Sequence, residues 1–310
     1  MTPMVKRMGH IALRVPDLDA SVAFQQDVLG MVETERSAGV SYLTCNERHH
    51  ELMLIQDPVR RGYDHVALEV ADAAALAAVM RSAEVAGGQI IGDVYDGEPG
   101  IDRAVRVLAP GGHVFKLFCG METVAAPQPG DRPEKFEHAS VKVLKMRPLE
   151  RFLQQGLGFR FSDRLGTTAS WWHCEEDHHG MAIVRAPRSE LSHYAFTVED
   201  LNAMGRVADR LKLHRDARLI WGPSRHGPGN NQFMYFHDQD GAMIELCSDI
   251  AQMGDYQPRR WPGGLKPINQ WGGPPPVRFI LTGFPLVKPT AGRPPYAMRP
   301  DRTPTAPART

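Results

Sequence analysis

Laid on itself with an offset of 128 or 129 residues, this sequence matches in four separate segments. HIALRVPDLDASVAFQQDVLG, from His10, corresponds to HASVKVLKMRPLERFLQQGLG, from His138. SYLTCNERHHELMLI, from Ser41, corresponds to SWWHCEEDHHGMAIV, from Ser170, pairing Cys45 with Cys174 and His50 with His179. DHVALEVADAAALAAV, from Asp64, corresponds to SHYAFTVEDLNAMGRV, from Ser192, and pairs His65 with His193. RVLAPGGHVFKLFCG, from Arg106, corresponds to YFHDQDGAMIELCSD, from Tyr235, and pairs Lys116 with Glu245. Chance likeness does not keep one ruler over four segments, so the chain is read as two homologous domains, 6–122 and 134–250. Between them, 123–133 runs into the Pro-, Gly- and charge-rich AAPQPGDRPE, which suits an exposed linker.

Each half divides again. IALRV alternates as a strand, Asp17 or Asp19 can cap a helix, and SVAFQQDVLG has helical spacing ending at Gly30. In the second half LSHYAFTV reads as a strand and EDLNAMGRVADRLK as a helix, while NQFMYFHDQDGAMIELCSD reads as a hairpin turning at Gln239 to Gly241. The expected architecture is α+β: four βαβββ units paired into two similar cup-shaped domains, a shape that receives small ligands.

The tail, 251–310, departs from this pattern. It is crowded with Pro and Gly, and Trp261, Trp271, Phe279, Ile280, Leu281 and Phe284 are expected to pack across a domain face as a lid, with no fixed structure beyond about Pro289. Thirty-six basic residues balance 36 acidic ones, so no global field draws nucleic acid or an anionic membrane. No run approaches the roughly 18 apolar residues of a membrane span and no signal peptide is recognisable, so cytoplasm is the expected location. Four scattered cysteines are expected as reduced thiols.

His138 and His193 fall at equivalent places in successive first strands, and Glu245 falls in the last strand. Two imidazoles and one carboxylate leave adjacent coordination positions open, as non-haem iron(II) needs to bind two small molecules together. The first half keeps His10 and His65 but has Lys116 at the position of Glu245, and a cation there should keep a divalent ion out. His178 and His179 are expected in one strand, pointing to opposite faces, and the count from Cys174 selects His179 as the inward one. His226, in the loop GPSRHGPGNN, and Tyr235, opening a strand, align near Gly97 and at Arg106, so the first half lacks both. The remaining histidines, His49, His50, His113, His173, His214 and His237, are read as ordinary core or surface residues.

From Arg225-His226-Gly227 through Tyr235 to Asp240-Gly241 and Glu245, the sequence resembles the type I extradiol ring-cleavage dioxygenases of the vicinal oxygen chelate superfamily, over about 6–250. The resemblance implies that the N-terminal half is metal-free and that His138, His193 and Glu245 hold Fe(II), or Mn(II), in the other. It implies that His179 assists oxygen activation and proton transfer, and that His226 and Tyr235 bind substrate oxygens and carry acid-base steps. Trp171 and Ser140 match substrate-contacting positions. The implied partners are a small aromatic diol and O2, within a homo-oligomer that in the family is commonly a tetramer. Only Arg225 stands out as a charge near the pocket, so apolar-substituted or further hydroxylated catechols are expected rather than carboxylated ones. Two rivals use the same scaffold: a glyoxalase-like isomerase, which wants a fourth protein ligand, and a non-catalytic ligand-binding or resistance protein.

Overall fold

The computed structural model describes residues 4–128, 130–215 and 217–297. The first unit is β1 (Arg7–Val15), α1 (Leu18–Leu29), β2 (Val32–Ser37), β3 (Val40–Thr44) and β4 (Leu52–Gln56). The second is β5 (Gly62–Glu69), α2 (Ala73–Val85), β6 (Gln89–Glu98), β7 (Ile101–Leu108) and β8 (Val114–Met121). The third is β9 (Lys135–Val143), α3 (Met146–Arg151), β10 (Arg160–Leu165), β11 (Ala169–His173) and β12 (Met181–Arg185). The fourth is β13 (Glu190–Thr197), α4 (Leu201–Leu211), β14 (Arg218–Arg225), β15 (Gln232–His237) and β16 (Met243–Ser248). The βαβββ reading therefore holds in all four.

Local signals explain the helix ends. Asp17, rather than Asp19, caps α1 by accepting from the Ala20 amide at 3.0 Å, and Gly30 closes it at a φ of 67°, a conformation that glycine adopts without strain. Asp72 and Asp200 cap α2 and α4 in the same way.

The sheet of the first half runs β2-β3-β4-β1-β5-β8-β7-β6, and that of the second runs β14-β15-β16-β13-β9-β12-β11-β10. In each, two four-stranded units join through the antiparallel pair of their first strands, β1 with β5 and β9 with β13. Those central strands are buried along almost their whole length because helices cover one face and the cup closes over the other. The two halves share an apolar core and exchange charge-assisted bonds: the Met8 amide donates to Glu175 Oε1 at 2.6 Å and the Phe136 amide to Glu51 Oε2 at 2.7 Å.

The tail is a strap across the second cup. β17 (Arg259–Trp261) adds to β10 in parallel, and buried Asp163 receives the Arg259 amide, the Trp261 indole and the Tyr256 hydroxyl at 2.6–2.7 Å. A single turn, α5 (Val277–Leu281), comes next, and then β18 (Phe284–Pro285) pairs with β13. One expectation needs correction. The stretch from Thr290 to Ala297 is not without structure: Tyr296 and Ala297 are buried in the first cup, and Arg106 donates to the carbonyls of Thr290 and Gly292 at 2.9 and 2.7 Å. Residues 298–310 lie outside the described part.

Candidate metal centre and its cavity

The register of the central strands assembles the centre. On β9 and β13 His138 faces Ala195, and Ser140 faces His193 across an irregularity in the ladder. On β16 Glu245 lies beside Ala195 and opposite Tyr235 of β15. The His138 and His193 Nε2 atoms are 3.3 Å apart, and each is 3.1 Å from Glu245 Oε2. Donors about 2.0–2.2 Å from a divalent first-row ion, spread at right to tetrahedral angles, stand about 3.0–3.4 Å from one another, so this trio fits such an ion. All three side chains are buried, and no other described acid, histidine or cysteine joins the cluster at ligand spacing. Burial pushes the Glu245 carboxyl up, but His138, His193 and His226 outweigh it and hold the group well below the usual range, as the charged ligand form requires.

Three further groups surround the trio. The His179 ring lies 4.3 Å from that of His138, and Tyr235 packs 5.1 Å from His193. His226 Nδ1 is 2.6 Å from the Ile268 carbonyl, which can only accept, so the proton sits on Nδ1 and Nε2 accepts from the Tyr235 hydroxyl at 3.0 Å. Burial, and then the charge of Glu245, push the Tyr235 phenol well above its ordinary value. Burial, with His138 and His178 next to it, pushes His179 well below its own, so near neutrality the phenol keeps its proton and this imidazole is neutral, with one ring nitrogen free to accept.

His178 and His179 are not in a strand. They lie in the loop between β11 and β12, and the loop turns their rings nearly perpendicular, at 86°. His179 faces the trio, and His178 faces Tyr256 and Asp163. The selection of His179 therefore stands for a different reason from strand alternation. Tyr235 does not open its strand but is the fourth residue of β15, and the GPSR stretch belongs to the end of β14, leaving His226 just beyond it.

The first half repeats this register with its charges reversed. His10 faces Ala67, Ala12 faces His65, Lys116 lies beside Ala67, and Arg106 opposes Lys116. His10, His50 and Glu98 have metal-ligand spacing. However, the Lys116 ammonium ion-pairs with Glu98 and lies 3.4 Å from His10 Nε2, so a protein cation holds the position that an ion would take. Tyr296 fills the rest of this cup, stacked on His65 and beneath the ammonium at 5.1 Å.

Comparison with known proteins also finds two matching halves. The family model described as Glyoxalase/Bleomycin resistance protein/Dioxygenase superfamily matches twice, over 7–117 and 135–246. The chain belongs to that superfamily. Its relatives include a manganese-dependent 2,3-dihydroxybiphenyl 1,2-dioxygenase from Geobacillus genomosp. 3, 25% identical over 84% of this chain and 91% of that protein. The metapyrocatechase of Pseudomonas sp. (strain CF600) is 26% identical over 83% and 91%. Among solved structures, the Mn(II)-bound glyoxalase from Novosphingobium aromaticivorans superposes with a TM-score of 0.81 at 26% identity, covering 93% of this chain and 96% of that one.

In this superfamily member the trio opens onto a cavity of about 330 Å3 that brings together all eight expected residues, with Ser140 and Trp171 in its wall. The remaining wall is mainly apolar, including Leu165, Val184 and Trp221, and the tail supplies Leu265, Ile268, Phe279 and Ile280. Phe279 stands 4.8 Å from both Tyr235 and Trp221. Of the tail residues expected to pack on a domain face, Trp271 is instead 42% and Leu281 75% exposed. Arg225 is not in the wall; it pairs with Asp249 at 2.7 Å. The cations that do line the cavity are Lys142 and Arg185, which the sequence reading missed. Lys142 was findable: on β9 it is two residues beyond Ser140 and four beyond His138, hence on the same face.

Proposed function

We propose that this chain opens the ring of an aromatic vicinal diol beside its hydroxyls with O2, as an extradiol dioxygenase using Fe(II) or Mn(II) held by His138, His193 and Glu245. One observation carries the reading: a ligand trio, an acid-base pair and a neutral imidazole border one largely apolar cavity. The names of the Geobacillus and Pseudomonas relatives point the same way. When bound, the ion supplies the Lewis-acid and redox site at which diol and oxygen meet.

The residues around it do the rest. His226, oriented by the Ile268 carbonyl, keeps its Nε2 lone pair toward Tyr235 and can take a diol proton in the phenol's place. Tyr235 then donates to a substrate oxygen. His179, uncharged near neutrality, accepts and returns a proton beside the trio. Trp171 and Ser140 border the ring, and the tail excludes water as a lid. In this division of labour 134–250 is catalytic and 6–122 is a metal-free support, within a cytoplasmic homo-oligomer whose size light scattering will measure. No helix among the described residues is long and apolar enough to cross a membrane.

The test is oxygen uptake by protein loaded anaerobically with Fe(II) or Mn(II), on addition of catechol, 3- and 4-methylcatechol and 2,3-dihydroxybiphenyl. A ring-opened product with one O2 consumed per diol is expected, and no uptake with any of them refutes the reading. The Novosphingobium neighbour is a glyoxalase, and a glyoxalase-like isomerase calls for a fourth protein ligand. The described residues bring three into mutual ligand distance here.

A further inference from the structure

Lys142 is buried in the cavity wall at 5% exposure, and among the described residues no carboxylate forms an ion pair with it, although Glu190, opposite it on β13, attracts its charge. Its ammonium instead donates to two backbone carbonyls of the tail, Ile280 at 3.1 Å and Thr282 at 2.5 Å. A buried cation needs such partners, since leaving water without them is costly. The carbonyls need the cation equally, because the last C=O groups of a helix have no partner inside it and carry its negative end. They belong to the end of α5 and the residue after it.

That helix has little else to hold it. Five residues are too few to be helical alone, and none of the five is buried. Beyond Lys142, its holds are Phe279 against Tyr235 and Trp221, and a weak 3.4 Å contact from Arg278 to His237. Just after it the strap passes close to β13: a Cβ on Gly283 would come within 2.0 Å of Glu190 Oε2. Downstream, β18 fixes the strap to β13. The strap is thereby anchored just downstream of the turn that covers the cavity.

We propose that Lys142 is the latch of this lid: by gripping the Ile280 and Thr282 carbonyls it seats Phe279 on Tyr235 and closes the cavity over bound diol, and by releasing them it admits substrate. Lys142 is a positioning residue, acting through Phe279, and its catalytic meaning rests on the dioxygenase reading above. The stem of Lys142 stays in the wall in both states; what changes is whether its ammonium meets the tail carbonyls or entering water.

The test compares metal-loaded wild type with Lys142→Met, which keeps the stem and removes the donors, and with Lys142→Arg, which restores them. Trypsin cleavage after Arg278 reports opening of α5, because cleavage requires the turn to unfold locally. Loss of about 1.4 kcal/mol of lid closure corresponds to about tenfold, so Lys142→Met should be cut about ten times faster and show KM raised about tenfold with kcat changed far less. Lys142→Arg should recover most of both. Catechol added anaerobically should slow the cleavage in wild type and not in Lys142→Met. Unchanged cleavage and KM in Lys142→Met would overturn the latch. If Lys142→Met does not fold, Phe279→Ala, which keeps the latch and removes what it seats, should give the same rise in KM; an unchanged KM there would overturn the proposal. If wild type consumes no oxygen with any diol, the dioxygenase reading fails while the trypsin comparison still decides the latch.

Discussion

Replacing Lys116 by methionine isolates the charge reversal that separates the two cups. Lys116 and its partner Glu98 are both almost fully buried, and without the ammonium the hydrogen bond left to the Glu98 carboxylate among the described residues is that from the Tyr95 hydroxyl, at 3.1 Å. Methionine fills the lysine stem's space, so the loss is electrostatic. Breaking a buried pair from one side costs about 3–5 kcal/mol. Urea unfolding at pH 7 in EDTA should show a loss of that size. Far-UV circular dichroism is the probe, because all five tryptophans lie in the second half or the tail. The double variant Lys116→Met/Glu98→Gln should recover most of the loss. A loss below 1 kcal/mol at pH 7, or no recovery in the double variant, would refute the charge-pair account. With His10, His50 and Glu98 still at ligand spacing, added Mn(II) should stabilise the single variant in EDTA-free buffer.

Glu245→Ala should remove the metal, and elemental analysis finding a full equivalent would contradict the ligand assignment. Tyr235→Phe should keep the metal and slow turnover about a hundredfold, the scale of a lost acid-base group; His179→Asn should do likewise, and full activity in either removes that residue from the mechanism. His113, His173 and His237 are buried and each held down to about 4, chiefly by desolvation. Because their folded pKa values lie below the unfolded value of about 6.5, metal-free protein should lose stability as pH falls from about 6.5 to 4, read as a dropping Tm. A flat profile over that window would show that these rings are not buried neutral.

Much of this was legible in the chain because strand and helix periods are local. The position of Glu245 beside Ala195 comes from the same register that puts Lys116 beside Ala67, and an offset in sequence reports that register directly. His179 was found for the wrong reason, since its direction comes from a loop rather than from strand alternation. Arg225 misled, because a charge next to a site residue in sequence can point outward, here to Asp249.

The order of residues alone was enough for the duplication, the four units and the candidate trio that folding brings to ligand spacing, together with the lysine that answers the glutamate. Repetition doubles every signal, and alternation tells which side chains share a face. The work of the irregular tail emerged only on folding: Ile268 orienting His226, Phe279 against Tyr235, Ile280 and Thr282 gripping Lys142, and Tyr296 filling the first cup. A strap without period carries no register, so its partners, more than forty and up to well over two hundred residues away in sequence, are set by packing alone.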